Sequence, residues 1–199
     1  MRASEEERLM IERVKKGSMR ERLVEAATEL FYAEGLRAVS VDKVIERAGT
    51  TKVTFYRHFS SKDALVVAHL ERRAEQERAG VTGAIEQAGG DPAQALRLIS
   101  ETLGVMSCQP GFRGCPFINA AAEYPDPDSE VRKTVAEHRG WCRQTFEDLV
   151  RPLGLPDPAG TAADLMLLRD GAMVAGYLDD PEPLAASFLR SGLALIGQE

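Results

Sequence analysis

Between Ser40 and Lys62 the chain reads SVDKVIERAGTTKVTFYRHFSSK: two short helix-forming segments divided by one glycine. Few folds accommodate that pattern. Ser40 is an N-cap residue, and Asp42 follows in the first turn, where the helix dipole favours an anion. Val41, Val44, Ile45 and Ala48 recur at helical spacing and give this segment one buried side. Gly49 breaks the helix, and Thr51 caps a second one covering Lys52 to His58. A preceding amphipathic helix starts at Ser18, with Leu23, Ala26, Ala27, Leu30 and Phe31 on one face and Gly35 at its left-handed cap position. Two short helices joined by a tight turn and braced by a third make a helix-turn-helix, whose second helix is built to enter a major groove.

The remainder of the chain is also helical in pattern. Ser61 caps a long helix running from Lys62 to about Ala88, closed by Gly89 and Gly90, and its ERRAEQER stretch reads as a solvated face. Asp91-Pro92 starts the next helix, with Ala95, Leu96, Ile99, Leu103 and Met106 buried. Residues 109–114 read as a loop, 116–123 as a short helix, and Ser129 to about Leu153 as a long amphipathic one. Ala159–Leu178 is apolar nearly all round, which marks burial on several sides. Leu184–Ile196 is the last helix. No segment alternates as a strand does, so the expected class is all-α with about nine helices.

Charge divides along the same line. The net charge is −6, yet residues 1–62 carry 13 Lys and Arg against 10 Asp and Glu, and residues 63–199 carry 12 against 21. A basic head on an acidic body fits a protein that meets phosphate with one end only. Three cysteines without a CxxC pair argue against a disulfide framework and fit a reducing, cytoplasmic compartment. Met1–Lys16 is charged throughout, with no apolar core of a secretory signal, and reads as a flexible arm whose Arg13, Lys15 and Lys16 are solvated or reach toward DNA. No apolar run is long enough to span a bilayer.

AATELFYAEG, VSVDKVIERAG and TKVTFYRHFSSKDAL together resemble the N-terminal region of the tetracycline-repressor (TetR) family of bacterial transcription regulators. GCPFINAAAEYPDPDSEVR and LLRDGAMVAGYLDDP look like a subgroup of that family. The resemblance implies an all-helical homodimer, with a three-helix DNA-binding head and a helical body that binds a small-molecule effector. On that frame residues 17–77 form the head with the start of the connecting helix, and 78–199 the effector-binding and dimerisation body. Carried over by motif, Tyr56, His58 and Lys62 contact the DNA backbone, helped by the Ser40 and Thr54 hydroxyls. Thr51, Lys52 and Val53 lead the recognition helix: lysine donates to guanine O6 and N7, and a Thr or Val methyl packs on thymine. Arg57 serves phosphate or base. Family members often carry Gly at the place of Val53, so a branched side chain here bears on operator choice.

Candidate effector contacts in the body are Phe117, Asn119, His138, Trp141, Cys142, Met166, Asp170 and Tyr177. The candidate dimer surface is a four-helix interface of residues 159–178 and 184–196 with their symmetry mates, using Gly171, Ala172, Ala175, Gly176, Phe188, Gly192 and Leu195. Arg169 and Asp170 interrupt a buried helix, so they need partners or an effector role. His138 and Cys142, four apart, are a packed core pair or the start of a soft-metal site. Cys108 and Cys115 raise a thiol switch. No resident cofactor or metal is expected. Enzyme motifs such as GxSxG, HExxH or a phosphate loop do not occur, and His58, His69 and His138 are scattered. The expectation is a regulator, in the main a repressor released from a palindromic operator by its effector. The competing readings are a protein-binding adaptor and a redox- or metal-responsive regulator.

Overall fold

The computed structural model describes residues 17–198; the N-terminal arm expected over 1–16 lies outside them. Nine α-helices occur among the described residues: α1 (Met19–Glu34), α2 (Val41–Ala48), α3 (Lys52–His58), α4 (Lys62–Gln87), α5 (Pro92–Ser107), α6 (Pro116–Glu123), α7 (Glu130–Val150), α8 (Pro158–Leu178) and α9 (Leu184–Leu195). A single 3-10 turn, Arg151–Leu153, finishes α7 where a continuous helix to Leu153 was expected. Among these residues no helix is long and apolar enough to cross a membrane.

Local chemistry sets the helix starts. Ser18, Ser40, Thr51, Ser61 and Ser129 each accept a hydrogen bond from the backbone N–H three residues on, and Asp91 accepts one from the Ala93 N–H two residues on. At Ser18 the bond is reciprocal, with the Glu21 carboxylate accepting from the Ser18 N–H at 2.6 Å. Such a capping box satisfies two otherwise orphaned donors. The turn between α2 and α3 depends on Gly49, which sits in the left-handed region at φ 62°. The Arg22 guanidinium of α1 donates to the Ala48 carbonyl at 2.7 Å and closes that helix end from outside. Gly35 also has a positive φ, 98°, but its ψ of 154° puts it in the extended glycine region rather than the helical cap expected from sequence.

The head, α1 to α3, closes on Leu23, Ala27, Val39, Val44 and Phe55, all fully buried. The long helix α4 leaves the head and packs along α5 and α7, and α8 lies between α7 and α9. The body core includes Leu96, Phe117, Leu165 and Phe188, all buried.

The α8 surface corrects part of the expected interface. Ala162, Leu165, Met166, Arg169, Met173 and Gly176 turn inward. A Cβ on Gly176 would lie 2.8 Å from Leu184 Cδ1 and 2.9 Å from Ser107 Cβ. That glycine therefore admits α5 and α9 of its own chain. Phe188 is buried in the same chain, and Gly192 packs on Leu96 and Leu165. Ala172, Ala175 and Leu195 are half-buried, and Gly171 alone of the set is open. The outward face of α8 instead carries Leu167, Gly171, Val174 and Leu178, with Leu167 and Leu178 about 70% exposed.

Candidate nucleic-acid interface and effector cavity

Helix α3 buries Phe55 and turns nearly everything else outward. Lys52, Tyr56, Arg57 and His58 are exposed, Val53 is 73% exposed, and Thr54 is half-buried. Tyr56 is braced edge-on against Phe55 with ring centroids 5.2 Å apart, so its hydroxyl is held away from the core. Thr51 Oγ1 accepts from the Thr54 N–H at 3.3 Å and shares a 3.0 Å bond with its hydroxyl. Lys52 pairs with Asp42 at 3.2 Å, an exposed bridge of the kind that contributes little and yields readily to another anion. Ser40 spends its side-chain acceptor on the α2 cap. Lys62 sits at the start of α4, half-buried, its ammonium donating to the Arg37 carbonyl at 3.1 Å; burial pulls its pKa down. Of the nine residues named for DNA contact, Thr51 caps α3 and Lys52, Val53, Thr54, Tyr56, Arg57 and His58 lie on it, while Ser40 caps α2 and Lys62 begins α4.

Between α4, α5, α7, α8 and the 109–114 loop lies a cavity of 410 Å³. Its walls are largely apolar, with Val81, Leu103, Met106, Phe112, Phe146 and Met173, while Gln76, Glu77, Thr102 and Thr145 supply polar atoms. That size and lining suit a small organic ligand. Of the eight residues expected there, Trp141 and Cys142 line it. Phe117, His138 and Met166 lie behind the wall as buried core. Asn119 and Tyr177 face a smaller cleft of 220 Å³ beside Tyr32 and His69. Asp170 is held by Arg139, whose two guanidinium nitrogens reach its two oxygens at 3.1 and 2.7 Å.

At the cavity wall the buried charge expected of Arg169 finds its partner. Arg169 is 5% exposed and donates to Glu77 Oε1 at 2.6 Å and to Asp170 at 3.3 Å. Burial opposes its charge, but Glu77 together with the neighbouring Cys115 and Cys142 outweighs that and holds its pKa above the ordinary value. Burial alone would raise the Glu77 carboxyl; His138 and Arg169 overcome that and bring it down to about 2. His138 stacks on Phe117, centroids 3.7 Å apart, and its Nε2 lies 3.2 Å from Glu77 Oε2 and 3.5 Å from Cys142 Sγ. Burial pushes the Cys142 thiol up to about 12. Glu77 was missed from sequence because it falls in the charged ERRAEQER run; the signal that pointed to it was Arg169, which required an acid.

Hydrogen bonds tie the head to the cavity wall and to α6. Tyr32 of α1 lines the cavity, and its hydroxyl accepts from the Arg113 N–H at 2.8 Å and donates to the Gly114 carbonyl at 3.0 Å. Burial raises the pKa of this phenol. The carboxylate of Glu123, at the end of α6, accepts from the Leu36 and Arg37 N–H groups at 3.0 and 2.7 Å, and its carbonyl accepts from Arg37 Nε at 2.7 Å. Tyr124 donates to Asp63 of α4 at 2.8 Å, and burial together with that carboxylate raises the tyrosine pKa. None of these clamping residues was singled out from sequence.

Comparison with known proteins agrees with this geometry. Residues 23–69 match the family model described as bacterial regulatory proteins, tetR family. SCO4454, a TetR-family transcriptional regulator of Streptomyces coelicolor, is 39% identical, superposes with a TM-score of 0.85, and is covered over 94% of its length by 90% of this chain. A putative tetR-type regulator of Streptomyces avermitilis, sav143, is 26% identical with a TM-score of 0.80, over 92% of this chain and 100% of that one. The HTH-type transcriptional regulator LmrA of Bacillus subtilis is 26% identical over 163 residues, 80% of this chain and 84% of its own. With its head, its body and the length of these matches in agreement, the chain belongs to the TetR family of helix-turn-helix, DNA-binding transcriptional regulators.

Proposed function

We propose that this regulator is a repressor that binds a palindromic operator as a homodimer and is released when an apolar small molecule enters the 410 Å³ cavity. The observation that carries the reading is the shared wall: Tyr32 of the head lines the cavity and is hydrogen-bonded to the loop that closes it. A ligand that displaces Arg113 or Gly114 acts directly on α1, and so on the orientation of α3. Release requires that the ligand prefer the form that does not fit DNA. The exposed α8 face of Leu167, Gly171, Val174 and Leu178 is the surface offered to a second copy. Pairing there sets two recognition helices on a two-fold axis, as a palindrome requires. On DNA, Tyr56, Arg57, His58 and Lys62 serve phosphates, and Thr51, Lys52 and Val53 face base edges.

The test uses Trp141, the single tryptophan of the chain, which lines the cavity. A compound library is screened for a change in Trp141 emission, and hits are added to protein bound to a genomic fragment in a gel shift. Compounds that perturb the emission should release the DNA. Emission changes with DNA retention throughout would remove the effector reading and leave the DNA-binding one standing.

A further inference from the structure

Glu77, His138 and Cys142 come from two helices and converge on one point: one oxygen, nitrogen or sulfur atom of each lies within 4.8 Å of the other two. The two measured edges are 3.2 Å from His138 Nε2 to Glu77 Oε2 and 3.5 Å from Nε2 to Cys142 Sγ. A tetrahedral zinc site with ordinary bond lengths has nitrogen–oxygen and nitrogen–sulfur edges of about 3.3 and 3.6 Å. Two of the cluster's three edges already have those dimensions, and the third, between the Glu77 oxygen and the Cys142 sulfur, is within 4.8 Å.

Hydrogen bonding alone does not complete this cluster. A neutral imidazole nitrogen carries either one proton or one lone pair. If Nε2 carries the proton it serves Glu77 and cannot accept from the Cys142 thiol. If it accepts from the thiol, it presents a lone pair to a carboxylate oxygen 3.2 Å away. The ring is 1% exposed, and its Nδ1 is buried with no hydrogen-bond partner among the described residues. A cation in place of the single shared proton satisfies all three donor atoms together. Around them, Arg169 donates to the other oxygen of Glu77 at 2.6 Å, the kind of outer contact that orients a ligating carboxylate. Phe117 stacks on the imidazole at 3.7 Å, and the Trp141 ring lies 5.8 Å from it. Glu77 and Cys142 both border the cavity, so a fourth coordination position opens into it.

We propose that Glu77, His138 and Cys142 form a binding site for a divalent transition-metal ion of the zinc class, with its open position facing the cavity. The mixture of carboxylate, imidazole and thiolate excludes magnesium and calcium, which prefer all-oxygen sets. On binding, the metal–sulfur bond replaces the Cys142 S–H bond and one proton leaves to solvent. The imidazole proton resides on Nδ1, Glu77 is already ionised, and nothing is oxidised or reduced. Exchanging one thiol proton for a dication adds one positive charge to the group formed by Glu77, Arg169, Asp170 and Arg139, whose two carboxylates and two guanidiniums otherwise cancel. The site stands apart from the effector reading, because metal binding is measured without DNA or an effector.

The experiment is cobalt(II) titration of reduced, tag-free, full-length protein, followed by dialysis and metal analysis. One cobalt per chain is expected, with the visible bands of a tetrahedral ion and a thiolate-to-cobalt charge-transfer band; zinc should displace it. Cys142→Ala and the near-isosteric Cys142→Ser should lose the charge-transfer band and the retained metal, whereas Cys108→Ala, altering an exposed thiol elsewhere, should keep both. Helicity by circular dichroism confirms that each variant is folded. Absence of retained cobalt in the wild type, or cobalt without the charge-transfer band, overturns the proposal even if no Cys142 variant folds. Retention of the wild-type spectrum by Cys142→Ala overturns it equally.

Discussion

Glu123→Ala removes the carboxylate that ties the head to the body. Its two oxygens accept from the Leu36 and Arg37 N–H groups at 3.0 and 2.7 Å. A hydrogen bond to a charged group contributes about 1.5–3 kcal/mol when well shielded. The Arg37 bond is solvent-exposed and the Leu36 bond part-buried, so the low end applies to the pair, about 2 kcal/mol in all. At 1.4 kcal/mol per factor of ten, that is about a thirtyfold change in the local opening equilibrium. The assay is residue-resolved hydrogen exchange. The Leu36 and Arg37 amides should exchange about thirtyfold faster in the variant, while amides in the middle of α5 keep their rates. Glu123→Gln should fall between, because one amide oxygen can serve only one of the two N–H groups without setting its own NH2 against the other. The Arg37 side chain also holds α6, through Nε to the Glu123 carbonyl at 2.7 Å, and Glu123→Ala leaves that bond in place. Unchanged exchange at Leu36 and Arg37 in Glu123→Ala would refute the clamp, whatever the effect on DNA binding.

The remaining predictions concern stability and assembly. His69 is buried, and desolvation with the nearby Arg72 and Arg73 charges lowers its pKa from 6.5 to about 4, while Nδ1 bonds Thr28 at 3.0 Å. The folded pKa is the lower one, so the neutral ring's contribution is complete above pH 6.5 and lost as pH falls toward 4; the full loss is about 3 kcal/mol. Urea unfolding at stepped pH should show this, and His69→Gln should flatten the profile across that window. Gly176→Ala should destabilise by about 1–3 kcal/mol, since the new methyl meets Leu184 and Ser107. This loss should persist at every protein concentration, because the contact is within one chain. Leu167→Asp places a charge on the exposed α8 face and should shift sedimentation toward the monomer with the fold intact; an unaltered dimer would move the interface elsewhere.

What was legible in the sequence was local. A capping hydroxyl acts on an N–H three residues away, so Ser18, Ser40, Thr51, Ser61 and Ser129 announced their helices in the order of the letters. The recognition helix was legible for the same reason: Phe55 is its only buried residue, and the residues around it point outward. Helix α8 was legible as buried but not as oriented. It is apolar nearly all round, so periodicity could not separate the face toward α5 and α9 from the face toward solvent. Gly171 and Gly176 look equivalent in the sequence, yet one is open and the other is pressed against Leu184. The clamps were illegible because Tyr32, Glu123 and Arg113 are ordinary surface letters until the fold brings them together across more than 80 positions.

Glu77 is where the local and the distant meet. It reads as one more charge on a solvated helix, yet it binds Arg169 from 92 positions away and faces His138. Helix α4 carries both Lys62, beside the DNA-reading head, and Glu77, at the cavity wall, 15 residues on. At 1.5 Å per residue the two are about 22 Å apart along one helix. Breaking a buried pair such as Glu77–Arg169 without replacement costs about 3–5 kcal/mol, so α4 is held in register by that pair unless another cation or donor takes over one of its ends. A ligand that engages Glu77 Oε1 competes for the contact with Arg169, whereas a metal on Oε2 leaves it in place. The helix has no glycine between Lys62 and Ala79, so Glu77 and Lys62 are joined by an unbroken stretch of helix.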